Sequence, residues 1–341
     1  MDNQSKIVQR DDKTMNSVNL MRPIPKRSVG RLRSGLKKVS RLPVAGVRRV
    51  AKAETLNFWL TNRIPRVLLT RFIGWYSVRE SEKLTRLSIA VWRLFSDLDL
   101  SESPVVKYRS LREVFTRPLL PGRRPIDPSM SSWCSPSDAI LGAHGQVHAG
   151  IVFQAKGAPY ALGELLGRNT PVASLEGWSF VTLRLTSAMY HRFHAPVNMR
   201  IHRVDYISGD VFNVNPAALK RIPSLFCRNE RAVVHCISDS GHPFMIIAVA
   251  AVLVASIQLH CIPHRLSLAL PGNCSFNCDF VADKGEELGW FEQGSTLIML
   301  YPGGLRLGDG FSEDQRVQMG QSLLREVSAV HTPYTPIVSS D

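Results

Sequence analysis

The larger, C-terminal part of the chain alternates between short apolar segments and turns. From Trp133 onward, apolar and β-branched runs are separated by Gly, Pro and Asn, as in GQVHAGIVFQ, SFVTLRLT, RIHRVDYI, RAVVHCI and STLIMLY. Runs of this length between turn residues are typical of strands joined by short loops. The pattern predicts a mainly antiparallel β-rich domain, which we assign to residues 121–341.

The preceding segment, residues 54–120, follows a helical pattern instead. In RVLLTRFIGWYS the apolar side chains fall on one helical face, namely Leu68, Leu69, Phe72, Ile73 and Tyr76. A second helical segment, ESEKLTRLSIAVWRLFSDLDL, follows, and the proline-rich RPLLPGRRPIDP closes the region. The predicted fold class is therefore α+β, with a helical N-terminal region followed by the β-rich domain.

Aromatic and basic residues accompany the first helical segment. Trp59 and Trp75 flank it, and Arg66 and Arg71 lie among its apolar positions. This composition suits a helix at a membrane surface, and it suits equally well an amphipathic helix packed on its own domain. The longest uncharged apolar run, residues 244–257, is shorter than the roughly 17–25 residues of a spanning helix. We predict one buried strand there, no membrane-spanning helix, and at most peripheral membrane contact.

The basic charge of the chain is concentrated at its start. The sequence has 42 Lys and Arg against 28 Asp and Glu, a net charge of +14. Residues 1–53 hold 14 Lys and Arg and 3 Asp, so the rest of the chain carries only +3. Within this basic leader, RSVGRLRSGLKKVSRLPVAGVRRVAK is rich in Arg and Ser and lacks aromatic residues, which favours mitochondrial targeting and argues against nucleic-acid binding. The acidic Asp2, Asp11 and Asp12 fit targeting less well, and a solvated tail is the alternative.

The six cysteines follow no familiar framework. They are Cys134, Cys227, Cys236, Cys261, Cys274 and Cys278. Their spacing does not suggest a disulfide scaffold in a chain of this length. The segments HCIPH and CSFNC bring Cys and His together, but their spacing matches no zinc pattern. We predict ordinary core and loop cysteines and no metal site.

Three polar clusters in the β-rich region contain the parts of a nucleophilic relay. CSPSDAILGAHGQV carries Asp138, YHRFHAPV carries His191 and His194, and EQGSTL carries Ser295. An Asp can orient an imidazole that takes the proton of an attacking hydroxyl. On spacing alone, Asp138 equally suits a turn cap and the histidines equally suit a hydrogen-bonded core. No G-x-S-x-G motif surrounds Ser295, which argues against a hydrolase acting on an external substrate.

Seven segments, in order, resemble the phosphatidylserine decarboxylases, particularly the mitochondrial type. They are SLREVFTRPLLPGRRPID, CSPSDAILGAHGQV, FQAKGAPYALGELLG, YHRFHAPV, FNVNP, LFCRNERAVV and KGEELGWFEQGSTLIMLYP. The resemblance runs in register from about Arg63 to Gly320. It thus covers most of the helical region and almost all of the β-rich domain.

The resemblance implies that the chain processes itself. Ser295 would attack the carbonyl of Gly294, and elimination would then break the chain between these two residues. The serine would become a pyruvoyl group, which is the covalent cofactor of the family. Asp138 and His194 would form the relay that deprotonates Ser295. A glycine before the serine allows a strained backbone and close approach of the hydroxyl.

The implied products are two subunits and a decarboxylase. Residues 1–294 would form the β subunit and residues 295–341 the α subunit of a heterodimer. The pyruvoyl ketone would form a Schiff base with the amine of phosphatidylserine and accept the electrons released with CO2. His191 would return a proton to the α-carbon, giving phosphatidylethanolamine. The resemblance implies a peripheral protein of the mitochondrial inner membrane, held there by residues 54–120.

The sequence departs from the family pattern around these residues. Ala139 stands where the family has Gly, and Arg184, Ser187 and Met189 stand at its Tyr, Pro and Asp positions. The Asp, both His and Gly-Ser-Thr are retained. The alternative function is therefore a catalytically impaired lipid-binding paralogue that processes itself but does not decarboxylate.

Overall fold

The computed structural model describes residues 66–94, 96–155, 158–167, 170–252, 256–268, 270, 272–292 and 295–326. The predicted leader, residues 1–53, lies outside the described residues, as do Trp59, Arg63 and Gly294. Among the described residues, no helix combines the length and the hydropathy needed to cross a bilayer.

In the described part of the chain, three helices precede the first strand, in agreement with the predicted helical region. They are α1 (Arg66–Ser77), α2 (Glu82–Arg93) and α3 (Leu111–Phe115). The Ser81 hydroxyl accepts a hydrogen bond from the Leu84 amide at the start of α2, and the Ser110 hydroxyl accepts one from the Glu113 amide at the start of α3. Both serines thus satisfy a backbone N–H that the first turn of a helix leaves unpaired.

The rest of the described chain is built mainly from antiparallel strands. The strands are β1 (Ser132–Cys134), β2 (Ala139–Gln146), β3 (Ile151–Ala155), β4 (Ala158–Ala161), β5 (Ser179–Arg184), β6 (Arg192–His194), β7 (Met199–Ile207), β8 (Arg231–Ser238), β9 (Pro243–Val249), β10 (Ser256–Leu259), β11 (Leu266–Ser267), β12 (Cys274–Ala282), β13 (Glu287–Phe291), β14 (Thr296–Tyr301), β15 (Leu305–Leu307), β16 (Arg316–Val317) and β17 (Ser322–Glu326). Short helices α4 (Leu162–Leu166), α5 (Pro216–Arg221) and α6 (Leu225–Arg228) interrupt them. The predicted α+β class is confirmed.

An eight-stranded sheet with the order β12-β7-β8-β9-β14-β5-β2-β16 forms the centre of the fold. Because side chains alternate along a strand, each face of this sheet contributes to a different core. Leu183 and Leu297 lie in the core shared with the four-stranded sheet β11-β10-β13-β6. Ile298 and Leu300 lie in the core that includes helices α4, α5 and α6. The central sheet is therefore covered on both faces.

The apolar run at residues 244–257 is buried as predicted, but the prediction of a single strand was wrong. The run is divided between β9, in the eight-stranded sheet, and β10, in the four-stranded sheet. Where β9 ends, the Asn229 side-chain amide donates to the Ala250 carbonyl and to the Phe212 carbonyl. Asn229 thus satisfies a backbone acceptor just beyond the point where β9 ends.

Candidate active site

Asp138 and Ser295 lie at the same end of the eight-stranded sheet. Asp138 directly precedes β2, and Ser295 directly precedes β14. The strand between them is β5, whose Arg184 pairs with Ile140 of β2 and with Thr296 of β14. One step further out, the Leu185 amide donates to the Ser295 carbonyl at 2.9 Å. With about 4.7–4.9 Å between neighbouring strands, the two backbones lie roughly 10 Å apart, a gap that a third side chain can bridge.

The Asp138 carboxylate is held by a buried arginine. Arg124 donates to it twice, from Nε at 2.7 Å and from Nη2 at 2.6 Å, and the Met319 amide adds a third hydrogen bond at 3.0 Å. Arg124 also binds the Glu102 carboxylate through both Nη atoms. The hydrogen bonds to Asp138 are the main cause of the raised pKa of Arg124. Asp138 is therefore an acceptor in a two-carboxylate ion-pair network and not a simple turn cap.

His194 lies beside Asp138 with both ring nitrogens engaged. Its amide donates to the Pro136 carbonyl at 2.8 Å, which anchors it to the turn that carries Asp138. Nδ1 lies 2.9 Å from the Gly285 carbonyl and Nε2 lies 3.0 Å from the Tyr190 hydroxyl. Because a carbonyl only accepts, Nδ1 carries the proton, and a neutral ring accepts at Nε2. Burial lowers the pKa of His194, opposed by the Gly285 hydrogen bond and the charge of Asp138.

His191 is fully buried at the other end of β6. Neither ring nitrogen has a hydrogen-bond partner among the described residues, and the ring meets Phe115 edge-on with 6.1 Å between centroids. The pKa of His191 is lowered to about 3, mainly by burial and in part by the positive charge of Arg117, while an interaction with the Met189 backbone acts in the opposite direction. His191 is therefore neutral at physiological pH.

The Ser295 hydroxyl is also buried without a hydrogen-bond partner among the described residues. A buried hydroxyl without a hydrogen bond costs free energy, so such a group needs an explanation, and a catalytic role is one. The chain leading to it is tied to the histidine pair, because the Phe291 amide donates to the His191 carbonyl at 3.0 Å. The preceding Gly294 lies outside the described residues.

The structure thus gathers the predicted residues without forming the predicted relay. Asp138 and His194 are neighbours, and Ser295 lies at the same sheet end. Among the described residues, however, no hydrogen bond joins Asp138 to His194 or His194 to Ser295. The side chain that binds Asp138 is that of Arg124, and the side chain that binds His194 is that of Tyr190. Both were missed as site residues, although GRRPID and YHRFH contain them; the sequence does not tell which arginine meets the aspartate.

The departures from the family pattern cluster at the same place. Ala139 is buried at the start of β2, and Arg184 is half-buried at the end of β5. Ser187 and Met189 lie in the tight turn between β5 and β6, where the Met189 amide donates to the Thr186 carbonyl. These residues therefore surround the candidate site and are not spread over the surface.

The cysteines do not assemble a metal site in the part of the chain that the structure describes. All six are free thiols. The thiols of Cys261 and Cys278 contact each other, and burial raises the pKa of Cys261 to about 12. The residues of the HCIPH and CSFNC segments are thus partly adjacent, without three ligands converging.

Removing the arginine that holds Asp138 should destabilise the fold. The Arg124 and Asp138 side chains are only 6% and 11% exposed, so Arg124→Gln leaves a buried carboxylate without its cation. We expect the free energy of unfolding to fall by about 3–5 kcal/mol, measured by urea denaturation. Arg123→Gln, at the exposed neighbouring arginine, is the matched control and should change it by less than about 0.5 kcal/mol. Equal stabilities of the two variants would contradict this account of the ion pair.

The buried His191 should make the fold sensitive to acid. Its pKa is near 6.5 when unfolded and about 3 when folded, so the folded state binds fewer protons between these values. The stability is fully present above the unfolded pKa and falls as pH drops from about 6.5 toward 3, by about 1.4 kcal/mol per pH unit. In His191→Asn, the free energy of unfolding, measured by urea denaturation between pH 6 and 4, should change less steeply with pH. The difference in slope should correspond to about one proton. An unchanged slope would show that His191 is not a buried neutral imidazole.

The chain is similar in sequence to known proteins over most of its length. Residues 111–325 match the family model described as phosphatidylserine decarboxylase. Three similar proteins are each named phosphatidylserine decarboxylase proenzyme. The one from Nitrosospira multiformis is 35% identical over 249 residues, covering 70% of this chain and 85% of the relative. The one from Haemophilus influenzae is 32% identical over 270 residues, covering 76% and 92%. The one from Shewanella frigidimarina is 31% identical over 286 residues, covering 80% and 98%.

Proposed function

Because the chain belongs to the phosphatidylserine decarboxylase family and is a decarboxylase, we propose that it cuts itself between Gly294 and Ser295 and then converts phosphatidylserine to phosphatidylethanolamine. The observation that carries this proposal is the Ser295 hydroxyl, which is buried and has no hydrogen-bond partner among the described residues, at the same end of the eight-stranded sheet as Asp138. The word proenzyme in the names of the relatives supports processing.

The first step uses only groups of this chain. The Ser295 Oγ attacks the Gly294 carbonyl carbon while Nε2 of His194 takes the hydroxyl proton, and the amide becomes an ester. Loss of the Ser295 α-proton then expels the Gly294 carboxylate. One water enters and one ammonia leaves, so that the former serine ends as pyruvoyl. For Nε2 to reach the serine, its hydrogen bond with Tyr190 must break.

The residues around Ser295 fit a pyruvoyl group. The group has no charge and has a ketone that must be shielded from water until substrate arrives, and Ser295 is fully buried. Once formed, it supplies the electron sink that decarboxylation requires. His191 is the residue that we propose to deliver a proton to the substrate α-carbon. It starts neutral, and an anionic lipid headgroup beside it would raise its pKa and let it take up the proton that it passes on.

The first two helices carry the features of a membrane-contact surface. Their buried positions are small and polar, at Thr70, Ser77 and Thr85. Their exposed positions are large and apolar, at Leu68, Phe72, Trp75, Leu84, Leu87 and Val91. These six apolar side chains face outward, whereas Ile89 and Trp92 of α2 pack against the small core of Leu98, Tyr108 and Val114. Basic residues such as Arg71 and Arg86 are exposed beside the outward apolar side chains. We propose that α1 and α2 hold the protein peripherally on the bilayer, because the acyl chains of the substrate stay there.

Vesicle sedimentation tests this contact. Leu87→Glu should lower the fraction bound to phosphatidylserine-containing vesicles several-fold, because a charge replaces an apolar side chain that is 63% exposed. Val281→Glu is the matched control at a similarly exposed position of β12, and its binding should equal that of the unmodified protein. Equal binding of both variants would refute the proposed surface.

We propose the mitochondrial inner membrane as the location, on the composition of residues 1–53. Fusing these residues to a fluorescent protein should direct it into mitochondria. A fusion that stays in the cytosol would refute the targeting role of the leader and leave the proposed reaction untouched.

The reaction is tested by incubating the purified protein with phosphatidylserine vesicles. Phosphatidylethanolamine and CO2 should appear in equal amounts, and treatment with a ketone-blocking amine reagent should abolish both. Cut chains that form neither product would support the impaired paralogue instead. An uncut protein that forms both products would refute the mechanism.

A further inference from the structure

Arg184 is a half-buried cation without a partner at the edge of the candidate site. It is the last residue of β5 and lies directly between Ile140 and Thr296, the residue after Ser295. Among the described residues its guanidinium has no hydrogen bond and no ion pair, and only the more distant Asp314 carboxylate attracts it. Burial lowers the pKa of Arg184, which shows that the surroundings do not offset its charge.

Two unpaired hydroxyls share its face of the sheet. Thr182 lies two residues before Arg184 on β5, and Thr296 lies directly opposite Arg184 on β14, so all three side chains project from one face. The Oγ1 atoms of Thr182 and Thr296 are buried and have no hydrogen-bond partner in the part of the chain that the structure describes, and both residues are almost fully buried. Side chains directly opposite each other on neighbouring strands, as those of Arg184 and Thr296 are, lie only about 5 Å apart. Thr182 lies opposite Ile298, so it is diagonal to Thr296 at roughly 7–8 Å.

Unpaired donors of this kind cost free energy unless a hydrogen-bond acceptor binds to them. A desolvated cation and two unsatisfied hydroxyls lose hydrogen bonds to water that the fold does not replace. The guanidinium fork and the hydroxyls are all donors suited to the oxygens of one anion. Asp314 balances part of the charge from a distance without occupying the donors.

We propose that Arg184, with the hydroxyls of Thr182 and Thr296, binds the phosphodiester of the substrate headgroup. This inference rests on the proposed function, because it takes the substrate to be an aminophospholipid attached at residue 295. In phosphatidylserine the phosphate is separated from the amine by the Cα and Cβ carbons and one ester oxygen. An amine held at residue 295 therefore places the phosphate about four bonds away, past the end of β14. The long side chain of Arg184 starts from the neighbouring strand at that end, on the face opposite to that of Ser295.

The phosphate suits this site better than the carboxylate of the substrate. A cation held against the carboxylate would stabilise the charged ground state and oppose the loss of CO2. The phosphate keeps its charge throughout the reaction, so binding it positions the substrate without raising the barrier. The arrangement makes Arg184 a residue that determines specificity for phosphorylated headgroups.

The test uses Arg184→Gln in the full chain, with intact mass first confirming cleavage. We expect KM for short-chain phosphatidylserine to rise about 10- to 100-fold with kcat changed less than about threefold. Glycerophosphoglycerol, a phosphodiester without carboxylate or amine, should inhibit the unmodified enzyme competitively and the variant at least tenfold more weakly. Lactate, a carboxylate without phosphate, should inhibit both equally. Arg184→Lys should fall between them, because it keeps the charge and loses the fork.

Controls separate this proposal from the function on which it rests. Arg200→Gln, at an exposed arginine of β7 paired with Asp279, should leave KM and both inhibitions unchanged. Calorimetric titration of glycerophosphoglycerol into the cut protein needs no turnover and should show binding that Arg184→Gln weakens. If such binding were found without conversion of phosphatidylserine, the site would stand and the proposed function would fail. Unchanged KM and unchanged binding in Arg184→Gln, a greater loss of lactate inhibition, or loss of cleavage would each overturn the proposed role.

Discussion

Ser295→Ala should leave the protein as one uncut chain that forms no phosphatidylethanolamine. Alanine removes the Oγ that attacks Gly294 and also the atoms from which the pyruvoyl group is made, so both reactions stop. The loss of decarboxylation should reach the uncatalysed background, roughly a millionfold or more. The measurements are denaturing electrophoresis for the cut and lipid analysis for the product.

A buried serine elsewhere serves as the matched control for this result. Ser238 is 3% exposed and lies at the opposite end of the same sheet, where its hydroxyl binds Ser240 and the His242 amide. Ser238→Ala should be cut and active, even if it unfolds at a somewhat lower temperature. Cleavage of the Ser295→Ala chain at the same bond would show that another residue is the nucleophile.

His191→Ala should still be cut but should lose decarboxylation by about 10²- to 10⁴-fold, the usual contribution of a positioned acid. We assign His191 to the second reaction because its ring is fully buried and neither ring nitrogen has a hydrogen-bond partner, Asp138 included, among the described residues. Intact mass measures the cut, and release of CO2 measures the second reaction. A variant that stays uncut would place His191 in processing instead.

His194→Ala should give the opposite pattern, and this contrast is the control. His194 lies beside Asp138 and has the basic Nε2 that we assign to proton removal from Ser295. This variant should remain largely one chain over hours in which the unmodified protein is cut. If both histidine variants were cut at the normal rate, the assignment of the first proton transfer to His194 would be wrong.

The sequence predicted those parts of the fold that depend on local pattern. The short apolar runs that form β5 and β14, each bounded by turn residues, are recognisable from neighbours in the chain. The break in the run 244–257 is not, because both halves are equally apolar. The break depends on tertiary contacts, among them the hydrogen bond that Asn229, distant in sequence, donates to the Ala250 carbonyl.

The sequence named candidate site residues but not their contacts. Asp138, His191, His194 and Ser295 were found through the resemblance of their segments to a known family. One of their partners comes from far along the chain, because the Gly285 carbonyl that binds His194 Nδ1 lies 91 positions away. Which of many arginines meets an aspartate depends on packing, so the pairing of Arg124 with Asp138 had no local signal.

The exposed apolar face of α1 shows another feature that the sequence pattern did not determine. The sequence pattern assigned one apolar face to α1 and left open whether it packs on the domain or on a membrane. The structure buries Thr70 and Ser77 and exposes Leu68, Phe72 and Trp75. The amphipathic pattern shows which side chains share a face, and only the tertiary structure shows whether that face is buried or exposed.

The mass of the purified, denatured chains tests the central claim most directly. The account predicts two chains, one ending at Gly294 and one beginning at position 295, the latter lighter than a serine-initiated chain by the mass of one ammonia. It also predicts that this smaller chain resists Edman degradation, because a pyruvoyl group has no free amine. A single intact chain in a preparation that makes phosphatidylethanolamine would contradict the account.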